Sequence, residues 1–198
     1  MHLHRSSRID FRKSLRSILL VLILVPALAW AQIDHSTELQ VNEDYLEVNI
    51  TVDGAEPEPL FANLEDGLSA SIEYMIRVVE PVRRPWQALG SRVLHEFLVK
   101  YELIWDPFRE RFTISTHDGA FYTFRDEADV WAFFFRLSDF RIPWTAFSDS
   151  GEPGRIRIET RAMYEPIVFV SGLSILSIFL PHSRYQSSWQ TLERGVGR

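Results

Sequence analysis

Residues 68–78, which read LSASIEYMIRV, decide the fold because apolar and polar side chains alternate along them. A period of two is typical of a β-strand with one buried face, since successive side chains of a strand point to opposite faces of its sheet. We therefore predict a long strand here, ended by Pro81. Its buried face carries Leu68, Ala70, Ile72, Tyr74, Ile76 and Val78, and its exposed face carries Ser69, Ser71, Glu73 and Arg77.

The same alternation recurs on both sides of this strand and predicts further strands. Within residues 92–124 the strands follow each other through tight turns, which is typical of an antiparallel meander. The predicted strands are centred on residues 46–53, 68–78, 92–105, 112–114, 121–124 and 155–164. The turn residues are Asp53-Gly54, Asp106-Pro107 and Asp118-Gly119.

Two segments break the alternation and indicate short helices. Pro57 and Pro59 suit the start of a short helix at residues 58–66, and Gly67 is placed to end it. Asp126 can cap a second helix by accepting a hydrogen bond from a free backbone N–H of its first turn, and Pro143 limits that helix. The apolar face of the second helix comprises Val130, Trp131, Phe133, Phe134 and Leu137.

The predicted order of elements is β-α-β-β-β-β-α-β, which lacks the regular βα alternation of a parallel sheet. We predict an α+β fold in which one antiparallel, meander-type β-sheet of about six strands is covered by two helices. Residues 32–198 are enough for a single domain with a sizeable core, which we place within residues 39–190.

Residues 1–31 are typical of a secretory signal peptide. A basic start precedes an apolar run at residues 18–30, and Ala29-Trp30-Ala31 matches a small-x-small cleavage site. The run would rise only about 20 Å as a helix, whereas the hydrocarbon core of a bilayer is about 30 Å thick. We expect cleavage after Ala31 and export to a periplasmic or extracellular space. An uncleaved leader would instead anchor the protein in the membrane.

The chain after this leader is acidic, and the whole chain lacks cysteine. The leader holds five of the 21 basic residues and one of the 27 acidic ones, so residues 32–198 carry 16 basic and 26 acidic residues and a net charge of −10. This charge argues against nucleic-acid binding, which depends on neutralising phosphates. Without thiols the chain forms no disulfide, cysteine nucleophile or thiolate metal site.

The sequence shows no motif of a known catalytic, metal or cofactor site, such as a His-Glu-x-x-His helix or a phosphate-binding glycine loop. We therefore predict no catalytic, metal or cofactor-binding residue and favour a binding protein over an enzyme. The alternative is a hydrolase whose acid, base or nucleophile the fold assembles from His95, Asp106, His117 and Asp118. His95, on the apolar side of its strand, is more simply a hydrogen-bonded core histidine, and His117-Asp118 is more simply a turn.

Arg155, Arg157 and Arg161 are the best candidates for a ligand or partner surface. Side chains two residues apart on a strand project from one face, and guanidinium groups bind carboxylates and phosphates. The alternative is that this face is solvated or paired with carboxylates such as Glu73. The aromatic run at residues 133–135 raises a similar choice, because three consecutive side chains cannot share one helix face, so one of them could mark an exposed patch.

The apolar segment at residues 167–180, which includes Phe179, is a second candidate surface. As a helix its 14 residues would rise about 21 Å, which is too short to cross a bilayer. A buried strand or helix is the ordinary explanation. A partner surface or shallow peripheral contact with a membrane is the alternative.

Four motifs of the chain together resemble one protein family. They are the helix end at residues 60–68 (LFANLEDGL), the strand segment at 101–103 (YEL), the aromatic second helix, and the closing residues 185–189 (YQSSW). The chain resembles an uncharacterised bacterial exported family, domain of unknown function 4390, over most of residues 39–190. The resemblance implies a location in the bacterial envelope and carries no known activity.

Together these observations predict an exported envelope protein that acts as a binding or accessory module for a protein, lipid or peptide partner. Two alternatives stay open. One is the periplasmic hydrolase described above, and the other is an accessory that presents an envelope cue to a membrane sensor.

Overall fold

The structure is a computed structural model of the chain and describes residues 33–81, 91–147, 156–168 and 184–193. The predicted signal peptide, Arg155, Phe179 and most of the apolar segment lie outside the described residues. The strands are β1 (Asp34–Val41), β2 (Tyr45–Asp53), β3 (Ser69–Pro81), β4 (Ser91–Asp106), β5 (Arg111–Thr116), β6 (Phe121–Phe124), β7 (Arg136–Pro143), β8 (Arg157–Val168), β9 (Tyr185–Gln186) and β10 (Gln190–Glu193). The helices are α1 (Pro57–Glu65), α2 (Glu127–Phe134) and a 3₁₀ turn (Trp144–Phe147).

The described strands form two antiparallel sheets and not one. The large sheet has seven strands in the order β10-β8-β3-β4-β5-β6, with β9 also paired to β8, and the small sheet has the order β1-β2-β7. The prediction of an α+β fold with two α-helices and antiparallel pairing is confirmed. The prediction of one sheet of about six strands is wrong. The predicted first strand, β2, pairs with β1 and β7 in a separate three-stranded sheet, and the large sheet has seven strands.

The local signals that end these elements behave as predicted. Gly67 adopts φ +83° after α1, and Gly119 adopts φ +84° between β5 and β6. Both conformations cost glycine little because it lacks a Cβ. Asp126 accepts a hydrogen bond of 2.7 Å from the backbone N–H of Ala128 and so caps α2.

The sequence did not indicate β1 because most of its inward side chains are polar. His35 and Thr37 face the core alongside Leu39, so the strand lacks a continuous apolar face. These two polar residues are satisfied by the opposite sheet. His35 Nε2 and Thr37 Oγ1 lie 3.0 and 2.8 Å from Oγ1 of Thr160, a fully buried residue of β8.

The second helix is shorter than predicted, and this shortening creates β7. The helix ends at Phe134, where the carbonyl oxygen accepts a 3.0 Å hydrogen bond from the buried hydroxyl of Tyr74 in β3. The next carbonyl, of Phe135, accepts a 2.9 Å bond from the backbone N–H of Val52 in β2. Leu137, predicted on the helix, therefore lies in β7 opposite Ile50.

The strand β8 also differs from the prediction, because it continues through Pro166 to Val168. Opposite Ala70, the pairing with β3 shifts by one residue, so that Pro166 and Ile167 stand in a β-bulge. A proline fits there because a bulge leaves one residue outside the hydrogen-bonded ladder. The beginning of the apolar segment, Ile167 and Val168, is thus part of a strand.

One continuous apolar core fills the space between the two sheets and the helices. It includes Leu46, Val48 and Ile50 of the small sheet and Leu60 and Leu64 of α1. The large sheet contributes the even-numbered residues of β3 and β8 and the odd-numbered residues of β4, as the alternation predicts. The prediction is wrong for two residues of the first strand, because Leu68 precedes β3 and is 37% exposed, and Ser71 is buried. The two helices and the small sheet therefore lie on one side of the large sheet.

The hydroxyl of Tyr74 offers a direct test of this arrangement. Burial raises its pKa well above the ordinary value, and the nearby Tyr101 adds to this effect, so the hydroxyl stays protonated and donates to Phe134. We expect Tyr74→Phe to lower the free energy of unfolding by about 1–3 kcal/mol, because it leaves a buried carbonyl unpaired. Urea titration measures this. The exposed Tyr122 supplies the control Tyr122→Phe, and equal losses in both variants would contradict the assignment.

His35 makes the contact between the sheets sensitive to pH. Burial lowers its pKa below the ordinary 6.5, although the hydrogen bond to Thr160 and the charge of Asp34 oppose this shift. The unfolded chain therefore binds a proton more readily than the folded chain, and acidification through pH 6.5 favours unfolding.

We expect the free energy of unfolding of the wild type to fall more steeply between about pH 7.5 and 5.5 than that of His35→Gln, which cannot be protonated. The exposed His117 provides the control, and His117→Gln should keep the wild-type slope. Urea titrations across the pH range measure the slopes. Parallel profiles for wild type and His35→Gln would refute the assignment.

Candidate functional site

The face of the large sheet that points away from the core is the candidate site, and we name it the outer face. In the middle of the sheet, Leu98, Met75 and Arg161 stand in one row across β4, β3 and β8. The neighbouring rows carry charged residues of both signs. The outer face comprises Glu73, Met75, Arg77, Glu96, Leu98, Lys100, Arg157, Glu159, Arg161 and Met163.

The predicted arginine stripe lies on this face. Arg157 and Arg161 are partly exposed, and Ile158, Thr160 and Ala162 between and beside them are buried in the core. The alternation predicted for β8 therefore places both arginines on the side open to solvent. Arg155, the third member of the stripe, lies outside the described residues.

In the structure, Arg77 and Trp189 lie beside Arg161, a contact that the sequence did not indicate. The guanidinium carbon of Arg77 lies 4.3 Å from the centre of the Trp189 ring, and that of Arg161 lies 5.4 Å from it. We name these three side chains the Arg–Trp cluster. Cations over an indole ring are attracted by its negative face, by about 0.5–1 kcal/mol each at exposed sites.

Within the described part of the chain, the charges in the Arg–Trp cluster are only partly neutralised. Arg77 pairs with Glu96 at 2.5 Å, whereas Glu73, the predicted carboxylate partner of the arginine stripe, lies 4.0 Å from Lys100. Burial lowers the pKa of Arg161, and repulsion from the guanidinium of Arg77 lowers it further. Two like charges are thus held close together beside one aromatic ring.

A second role of Arg161 is to hold the C-terminal strands against β8. Its Nε donates a 3.2 Å hydrogen bond to the carbonyl oxygen of Ser187. Ser187 is buried, and its backbone N–H donates to the carbonyl oxygen of Ala162 while its Oγ accepts from the N–H of the same residue. Arg161 therefore serves the fold as well as the surface.

The apolar members of the outer face give it the composition of a protein interface. The side chain of Leu98 is 50% exposed, and Met75 and Met163 are partly exposed around the centre of the sheet. Methionine, arginine and aromatic residues are the types enriched at the centres of protein interfaces. Charged residues such as Glu96 and Lys100 surround this centre.

The residues of the hydrolase alternative are spread along the meander. Asp106 and Asp118 occupy the turns at the two ends of β5, about 17 Å apart at 3.3 Å per residue. His95 and Asp106 are separated by eleven positions of the same strand, which span about 36 Å. Only the sequence neighbours His117 and Asp118 lie together.

Both aspartates make the hydrogen bonds of turn residues. Asp106 Oδ1 accepts from the backbone N–H groups of Phe108 and Arg109, at 3.0 and 3.2 Å. Asp118 Oδ1 accepts from the hydroxyl of Thr116 and from the N–H of Ala120. The hydrogen bond from Thr116 is the main cause that lowers the pKa of Asp118, so this carboxylate is ionised at neutral pH and is already engaged.

His95 differs from the expected hydrogen-bonded core histidine. Its ring stacks on the ring of Phe97, with the two ring centroids 6.3 Å apart. Its Nε2 is buried and has no hydrogen-bond partner within the described parts of the chain. A single partly exposed imidazole of this kind does not by itself form a site.

The three consecutive phenylalanines are all packed, so the exposed patch suggested by their sequence is not found. Phe134 and Phe135 are buried and both contact Tyr164. Phe133 stacks on Tyr101 and contacts Tyr122. Phe135 keeps its helical position after the end of α2, because its N–H donates to the carbonyl oxygen of Trp131 and its ring lies 4.3 Å from the Trp131 ring.

The described residues contain no group of three or more His, Cys, Asp or Glu residues placed to hold a metal ion. None of the helices in the described ranges is both long and apolar enough to cross a membrane. No protein-family model, curated protein or solved structure matches this chain.

The Arg–Trp cluster predicts that Trp189 holds β10 in place. We expect Trp189→Ala to raise the rate of backbone hydrogen exchange in β10 about tenfold, because it removes two cation–π contacts. Trp189→Phe keeps an aromatic ring and should raise the rate less. Hydrogen exchange followed by mass spectrometry measures both. Exchange in Trp189→Ala at the wild-type rate would show that the cluster does not hold the strand.

Proposed function

We propose that this chain is a non-enzymatic binding module of the bacterial envelope and that its partner is a protein that docks on the outer face. The observation that carries the proposal is the row of Leu98, Met75 and Arg161, with Trp189 stacked beside it, on the side of the large sheet opposite the helices. The basic and apolar leader at residues 1–31 supports an envelope location.

The chemistry of the outer face favours a protein over a lipid surface. Glu73, Glu96 and Glu159 stand among the basic residues, so the face does not present the excess of positive charge that attracts anionic lipids. A mixture of both signs around an apolar centre instead suits a partner with a complementary pattern of charges. Arginine and tryptophan are also the residues that most often dominate the binding energy of protein interfaces.

Leu98 is the best position at which to test the proposal. Its side chain points to solvent and makes a small contribution to the core, so a change there should leave the fold intact. Val41 in β1 is a matched control, because it is a similarly exposed aliphatic residue of the small sheet, at 58% exposure.

The partner can be captured with a photoreactive residue, p-benzoylphenylalanine, placed at position 98 or at position 41 of the full-length chain. We expect a discrete adduct with one envelope protein from position 98 and none from position 41. Adducts of equal yield from both positions, or none from position 98, would contradict docking on the outer face.

The affinity of the captured partner gives a quantitative prediction. Leu98→Asp should weaken binding by about tenfold or more, because it places a charge at an apolar interface centre, whereas Val41→Asp should leave binding unchanged. Binding of the purified partner to each full-length variant measures this, with thermal unfolding as the check of the fold. Unchanged affinity in a folded Leu98→Asp variant would exclude the site.

A further inference from the structure

The open edge of the large sheet at β6 is the most exposed apolar feature of its strands. Phe121 is 72% exposed and Tyr122 is 43% exposed, and the next residue, Thr123, is also exposed. Within the described ranges β6 pairs only with β5, so one side of its backbone lies open. Two strands, β4 and β5, lie between this edge and β3, so the edge is separate from the Arg–Trp cluster.

The register shows which backbone groups are free to bind another strand. At the turn, the N–H of Thr116 donates to the carbonyl oxygen of Ala120 at 3.0 Å, so this pair is hydrogen-bonded. Hydrogen-bonded and non-bonded pairs alternate along an antiparallel ladder. Tyr122 therefore directs its backbone groups to β5, whereas Phe121 and Thr123 direct their N–H and C=O groups to the open edge.

The two edges of the small sheet carry charges, a proline and a bulge that hinder strand addition, whereas β6 is protected only by its short length of four residues. Charged side chains, prolines and bulges are the usual protections of an edge strand. On β1 these are Asp34 and Glu38, and on β7 they are charged residues, Pro143 and a bulge at Asp139, whose φ is +57°. The sequence of β6, FYTF, contains none of them.

We propose that β6 pairs with β6 of a second copy of this chain, so that two large sheets join through an antiparallel two-fold contact. Among the registers that keep each face of the sheet continuous, the one that pairs Phe121 with Thr123 of the second copy places Tyr122 opposite Tyr122 of the second copy. Phe121 and Thr123 of the two copies then supply four main-chain hydrogen bonds. Aromatic and β-branched residues are favourable cross-strand partners.

The charges next to the strand are compatible with a second copy of the same chain. No charged side chain lies in β6, so the two identical strands do not repel each other. Continued beyond the strand, the proposed register places Arg125 opposite Gly119 of the second copy and beside its Asp118, and places Asp126 opposite that Asp118. Symmetry repeats one attractive and one repulsive contact, so these charges contribute little. The short strand supplies far fewer than the roughly 20–30 residues per side of a standard interface, so the dimer is weak.

The absence of native cysteine makes the register directly testable. Only the residue at the two-fold axis meets itself, at a Cα–Cα distance of about 4.5 Å for a non-hydrogen-bonded pair, which suits a disulfide. In the full-length chain treated with copper phenanthroline, Tyr122→Cys should give about tenfold more disulfide dimer than Val41→Cys, an exposed position on another edge strand.

A proline at position 123 distinguishes a disulfide dimer that forms through strand pairing from one that forms by chance collision. In the Tyr122→Cys background, Thr123→Pro removes an N–H that points to the open edge and should reduce the dimer to the yield of Val41→Cys. Thr123→Ala keeps the N–H and should keep the dimer. If Thr123→Pro unfolds the protein by circular dichroism, Phe121→Lys replaces it, because it places a charge at the contact while changing an exposed side chain.

A dimer yield of Tyr122→Cys no greater than that of Val41→Cys would overturn the proposal, as would a folded edge variant that dimerises like its parent. Neither result bears on the outer face, since Leu98 and β6 are tested by different substitutions and different products. The edge contact is therefore tested independently of the proposed function.

Discussion

The end of α2 is the point on which the two-sheet arrangement depends. The carbonyl oxygen of Phe134 accepts the hydroxyl of Tyr74 in the large sheet, and that of Phe135 accepts the N–H of Val52 in the small sheet. A helix leaves its last carbonyl groups without partners inside the helix, and here each of the two sheets supplies one. The same two residues pack against Tyr164, so polar and apolar contacts tie the sheets together at one place.

In this arrangement one face of the large sheet is buried and the other is open to solvent. The side that holds Tyr74 and Thr160 is filled by the helices and the small sheet, and its polar atoms are largely occupied by internal hydrogen bonds. The opposite side carries Leu98 and the Arg–Trp cluster in contact with solvent. A binding function therefore fits the outer face, and the packed aromatic run at residues 133–135 serves the fold.

Much of the local structure could be predicted from the sequence, because its causes lie within a few residues. Gly67 ends α1 and Asp126 begins α2 as expected, and β3 follows its alternation from Ile72 to Val78. The strand β1 could not be predicted, since its inward His35 and Thr37 are satisfied by Thr160, more than 120 positions away. For the candidate site, the alternation located Arg157 and Arg161 on one face, but it contained no sign of Trp189.

By itself the sequence determined the class of fold, the positions of most strands and turns, and the face of β8 on which the arginines lie. These properties follow from side-chain periodicity and from the backbone preferences of glycine, proline and aspartate, which act locally. The tertiary structure alone decided the division into two sheets, the early end of α2 and the stacking of Arg77 and Arg161 on Trp189. The pairing of strands and the satisfaction of buried polar groups depend on residues distant in the chain, which meet only when it folds.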